Sequence, residues 1–215
     1  MSSIANPIPM RRVEAPADSP HTVAMTSTFD ALARLQDIAG TFYAGKISRD
    51  EARSAVIDAI FARLGCSRVS LWRFDGEPGA LCLLCFASKA AGAELVTTER
   101  WLREAEYRDY FDGLVRTGMY VSVDAMTDAN LQPMRENYLL ANNVRSMLDA
   151  AFMVNGRAYG MVCCEQTDAP RPWRTDEVAA LRAIVAKLAV LMAGAADPAL
   201  WGSPSLPMAP LSMGA

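Results

Sequence analysis

The chain has 215 residues with 21 Lys+Arg against 24 Asp+Glu, a formal net charge of −3 that supplies no basic surface for nucleic acid. Hydrophobic residues at 52% and charged residues at 21% are enough for a full domain core and exclude disorder throughout. The single histidine, His21, lies in a stretch without apolar periodicity, which excludes most histidine-based catalysis, metal binding and haem ligation.

Proline marks the domain limits. Four of the twelve prolines fall in residues 1–25 (Pro7, Pro9, Pro16, Pro20) and four in residues 195–215 (Pro198, Pro204, Pro207, Pro210). Both stretches are expected to be disordered tails, with one domain over 26–194. Met25, just before the first helical pattern, offers an alternative start. No run approaches the ~18 apolar residues of a membrane helix, and the N-terminus has no signal-peptide pattern. A cytoplasmic protein that avoids membranes is expected, its five cysteines reduced.

Ser27 or a neighbouring Thr can cap a first helix carrying Phe29, Leu32, Leu35, Gln36, Ala39 and Phe42, ended by Gly45. Ser48-Arg49-Asp50-Glu51 is a capping box for a second helix with Ala52, Val56, Ala59, Ile60 and Leu64 on one face, stopped by Gly65. The period then becomes extended. Residues 66–74 and 80–86 read as a hairpin turned at Asp75-Gly76-Glu77-Pro78-Gly79. Residues 101–118 carry a helical aromatic stripe, followed by a strand over 119–123, a loop with Asp124 and Asp128, and a short helix through Tyr138. Residues 145–154 and 157–166 form a second hairpin turned by Asn155-Gly156. The last helix is capped at Thr175, with Asp176 and Glu177 at its positive end. The hairpins make the class α+β, a central antiparallel sheet of five to six strands flanked by helices.

Val144–Ala150, the N-G-x-x-x-G hairpin with its return strand over Asn155–Glu165, and Arg171-Pro172-Trp173-Arg174-Thr175-Asp176-Glu177 together resemble the GAF domain family, with Val69–Phe74 similar to its first strand. The resemblance spans roughly Phe29 to Ala193 and implies a GAF/PAS-like fold. It also implies a module for small-molecule sensing or dimerisation, often attached to a histidine kinase or a cyclase; with no such output domain in the sequence, a stand-alone domain that works with a signalling partner is expected. The family's cyclic-nucleotide signature N-K-x-F-D-E has no counterpart here. Bilin-binding members use a cysteine beside a histidine, and the core has no histidine. The glycine-rich cysteine context of the free methionine-sulfoxide reductase branch is also not reproduced. A non-catalytic regulatory domain without cofactor or metal is therefore expected.

In a GAF-like arrangement the central segment encloses the pocket, so Trp101, Tyr107, Tyr110, Phe111, Tyr120 and Tyr138 are candidate walls, with Asp124 and Arg145 as polar anchors. The competing reading for each is plain core. Cys82-Leu83-Leu84-Cys85 is formally C-x-x-C, but on a strand positions i and i+3 face opposite ways, as do Cys163 and Cys164. These cysteines read as small buried hydrophobes; a thiol-redox enzyme or sensor built from them is the alternative function, and a ligand-free dimerisation module is a third. In the last helix Val178, Leu181, Val185, Leu188 and Met192 step by three and four. They form a heptad-like seam expected to pair the terminal helices of a parallel homodimer.

Overall fold

The computed structural model describes residues 26–97, 100–154, 156–193 and 200–201. Two capped helices open it, because in each a serine hydroxyl meets an orphan backbone donor. In α1 (Thr28–Tyr43) Ser27 accepts from the Asp30 N–H while Asp30 reaches back to Ser27. Ser48 and Glu51 do the same for α2 (Arg49–Leu64), which ends on Gly65 at φ 56, a left-handed position that costs other residues energy.

Six strands follow: β1 (Arg68–Asp75), β2 (Cys82–Ala90), β3 (Arg100–Arg103), β4 (Met119–Ser122), β5 (Val144–Val154) and β6 (Arg157–Thr167). They form one sheet in the order β3-β2-β1-β6-β5-β4, every neighbouring pair antiparallel. Between β3 and β4 lies α3 (Arg108–Thr117); between β4 and β5 lie a 3-10 turn (Ala129–Met134) and a π-helical segment (Arg135–Leu140). The last helix is α4 (Thr175–Ala193). It starts on Thr175 rather than after it, and the buried Glu177 carboxylate accepts from the Arg174 N–H at 2.8 Å. The second hairpin stands as expected, with Gly156 at φ 78; its Asn155 lies outside the described residues, as do residues 1–25 and most of 195–215.

The sheet divides the molecule. On one face α2 and α4, backed by α1, cover Val69, Leu71, Leu148, Ala150, Val162 and Cys164, an almost wholly apolar core. On the other, α3 and the 3-10 and π segments cover Trp72, Leu83, Cys85, Met147, Met161 and Cys163. A bulge in β2 adjusts this alternation: Leu71 pairs with Ala87 but Trp72 with Cys85, so Phe86 is the extra residue.

Three expectations change. Residues 101–107 are not helical: Trp101 belongs to the four-residue edge strand β3, too short for a periodic signal, and only the stripe Tyr110, Phe111, Leu114 sits on a helix. The seam Leu181, Val185, Leu188 and Met192 is buried within its own chain, with Val178 half-buried, because α4 wedges between the sheet and α1. Those side chains cannot also pair with a second copy. Finally, Leu200 and Trp201, assigned to the C-terminal tail by proline usage, are buried in the helix-side core, where a large indole offsets the cost of ordering its segment.

Candidate functional site

On the α3 side of the sheet, a cavity of about 270 Å³ opens between β1, β2, the β2–β3 connection and the π-helical segment. Alternation along the strands supplies its floor: Arg68, Ser70 and Trp72 from β1, Cys85, Ser88 and Ala90 from β2, and Arg100 from β3. Tyr138 and Asn142 close it from above. The wider turn of the π segment sets Tyr138 over the floor, a local irregularity that often accompanies function.

The polar groups at this cavity form one network. Arg68 pairs through Nε with Oε2 of Glu165, a fully buried carboxylate on β6. The same guanidinium donates to Asn142 Oδ1 at 3.1 Å and to the Tyr138 hydroxyl at 3.4 Å, and that hydroxyl donates to Glu165 Oε1 at 2.5 Å. Burial works against the Arg68 charge, but Glu165 overcomes it and holds the guanidinium protonated beyond its ordinary range. Burial raises the Tyr138 phenol, so it stays a donor to Glu165. Arg100 stacks on the Tyr138 ring at 4.9 Å. Trp72 donates from Nε1 to Ser70 Oγ at 2.8 Å, which fixes its ring as a flat wall.

Behind this network lies a second buried acid. Asp149 on β5 accepts at Oδ2 from the Tyr110 hydroxyl at 2.8 Å. Burial pushes its carboxyl up to about 7, although hydrogen bonds from Cys163 and Tyr110 pull the other way.

Among the predicted wall residues, Tyr138 alone lines this cavity. Tyr110 and Phe111 on α3 and Tyr120 on β4 are core residues, and Tyr107 is partly buried at the start of that helix. Trp101 points away, since its neighbours Arg100 and Leu102 take the cavity face of β3. Asp124 and Arg145 pair with each other at 3.6 Å and do not line this cavity. Arg68, Ser70, Trp72, Ser88, Arg100 and Asn142 were missed. The alternation Arg68-x-Ser70-x-Trp72 was the available signal, because polar residues on one face of a strand that becomes central mark a face that is not plain core.

The cysteines divide between faces. Cys85 and Cys163 lie in the core on the cavity side, Cys164 in the helix-side core, and Cys82 is part-exposed at the start of β2. Burial pushes the Cys85 thiol up to about 12, raises Cys82, and lifts Cys163 and Cys164 well above the usual thiol range. Cys164 has a thiol neighbour that went unpredicted, Cys66. Among the described residues, no group of three or more His, Cys, Asp or Glu side chains is placed to hold a metal ion.

The family pattern "GAF domain" matches residues 48–192. The chain belongs to the GAF domain family. Solved GAF domains share its fold at low identity. The phycocyanobilin-bound GAF domain from a cyanobacterial phytochrome superposes with a TM-score of 0.61 at 19% identity, covering 78% of this chain and 94% of that one. The blue-light absorbing form of the Thermosynechococcus elongatus PixJ GAF domain gives 0.53 at 20% identity, covering 74% and 88%. The Stigmatella aurantiaca phytochrome photosensory core module gives 0.58 at 17%, covering 77% of this chain and 35% of that one. No curated protein matches the chain in sequence. No helix among the described residues is long and apolar enough to cross a membrane.

Proposed function

We propose that this GAF domain is a non-catalytic sensor that takes a small molecule into the Arg68–Tyr138 cavity and reports it to a signalling partner, such as a kinase or cyclase, through a helix-mediated homodimer. The observation that carries the reading is the buried Glu165–Arg68–Tyr138–Asn142 network at the mouth of a cavity with flat aromatic walls. Such a network is costly to bury unless fully satisfied, and it holds its donors in place before any ligand arrives. Glu165 already neutralises Arg68, while Arg100, stacked on Tyr138 and exposed, offers its charge to the cavity. The favoured ligand is compact, flat and carries a negative or strongly accepting group.

At about 270 Å³ the cavity sits near the small end of ligand sites, roughly 300–1,000 Å³. A bilin like that in the phytochrome neighbour does not suit these residues: Cys85 is the cavity's one thiol, its pKa is raised by burial, and the chain's one histidine, His21, precedes the residues that match the family. The raised thiols likewise weigh against thiol-redox chemistry, which needs thiolate.

For the dimer, the outer stripe of α1 replaces the buried α4 seam. Phe29 (79% exposed), Ala33, Gln36, Gly40 and Tyr43 recur in steps of four and three, and Val190 of α4 is 67% exposed.

Native mass spectrometry of the protein purified from its own host should show a retained small molecule that Arg100→Ala loses. A clean apo mass from that host, with light scattering giving a dimer, would favour the ligand-free dimerisation module. A monomer at micromolar concentration, unchanged by Phe29→Glu, would remove the dimer.

A further inference from the structure

The seat of Trp201 lies beside the cavity's back wall. Its indole is fully buried between Phe86 and Phe152, with ring centroids at 5.3 and 5.1 Å and near-perpendicular planes. Gly160 of β6 makes the room: a Cβ there would lie 2.4 Å from both Trp201 Nε1 and the Phe152 ring. Arg53 of α2, stacked at 4.6 Å on Phe86, donates from Nε to the Leu200 carbonyl at 3.1 Å. Trp201 Nε1 donates to the backbone carbonyl of Trp72 at 2.8 Å.

Trp72 therefore has two roles. Its side chain, tethered to Ser70 Oγ, is a wall of the cavity, while its carbonyl is the hydrogen-bond acceptor for the C-terminal segment on the opposite face. It sits where the β1–β2 register shifts, the position in the sheet where the ladder is already interrupted. We infer that Leu200–Trp201 is a C-terminal strap whose seating is coupled to the cavity through Trp72. Whatever displaces the Trp72 ring or takes Ser70 Oγ turns the Trp72 peptide and weakens the strap, so occupancy is carried across the sheet to Leu200 and Trp201. The strap gives the domain an output that does not depend on the dimer.

The test uses the full chain and no ligand. The Trp201 indole N–H resonance is assigned by its loss in Trp201→Phe, and its solvent exchange is then followed in wild type and in Ser70→Ala, which cuts the tether on the cavity face only. Exchange at least about threefold faster in Ser70→Ala, with Trp201→Phe costing correspondingly less stability in that background, is the coupled result. An unmoved resonance and additive effects would overturn the coupling while leaving the cavity reading intact. Gly160→Ala, which crowds the seat, should expose the indole. A protected indole in that variant, or rapid exchange in wild type, would overturn the strap itself.

Discussion

The two faces of the sheet are built on opposite principles. Beneath α1, α2 and α4 the core is chiefly apolar side chains packed against apolar side chains, with a few buried charged groups at its margins, such as Arg53 stacked on Phe86. Beneath α3 and the π segment two carboxylates are fully buried, Asp149 and Glu165, each facing a tyrosine hydroxyl. Apolar packing is tolerant and non-directional, so the first face holds the domain together. Buried hydrogen bonds are directional and costly when broken, so the second face specifies the shape of a cavity.

Substitutions should separate the two. The largest loss is expected for Glu165→Ala, about 3–5 kcal/mol by urea unfolding, because Arg68 would keep its buried charge without a carboxylate. Leu181→Ala on the helix side should cost about 3 kcal/mol through the cavity it leaves; a loss equal to that of an exposed site would break the division of labour. Tyr110→Phe should cost about 1–2 kcal/mol, since it strips a donor from Asp149. Asp149 also predicts a pH dependence. Its folded pKa near 7 lies above the ordinary carboxylate value, so the folded state binds the extra proton. Its contribution is complete below about pH 4 and is lost as pH rises through 7. Asp149→Asn should remove that slope, gaining on wild type as pH rises, and parallel stability profiles would contradict it. The smallest effect belongs to Arg100→Ala: within about 0.5 kcal/mol in stability, yet with the retained ligand lost.

Local signals in the sequence located most of the fold. Ser27, Ser48, Gly65 and the Gly156 hairpin act through neighbours three or four residues away, and each stands where expected. The site was less legible because its members are far apart in the chain. Arg68, Arg100, Tyr138 and Glu165 meet only once β1 lies beside β6 and the π segment folds over both. Tyr138 was a candidate because a GAF-like arrangement lays the central segment over the pocket; the residues it meets sit on strands whose two faces look alike until the sheet order is known. Trp201 was missed for a related reason: its seat is a gap at Gly160, and a gap has no composition.

The extra residue in β2 has a consequence for what the cavity can recognise. Because Phe86 and Ala87 both turn toward the helices, the face of every later position in that strand is set by this one insertion: Ser88 joins the cavity, and Lys89 goes to Asp58 and Ser54 of α2. A regular ladder through the same residues would turn Ser88 to the helices and Lys89 to the cavity face, leaving Asp58 without its cation, whereas loss of Phe86 itself would restore the alternation with both side chains where they are. The charge that a ligand meets at this wall is thus set by the bulge as much as by residue identity, so that a relative whose β2 ran through the same residues without the bulge would select a different ligand.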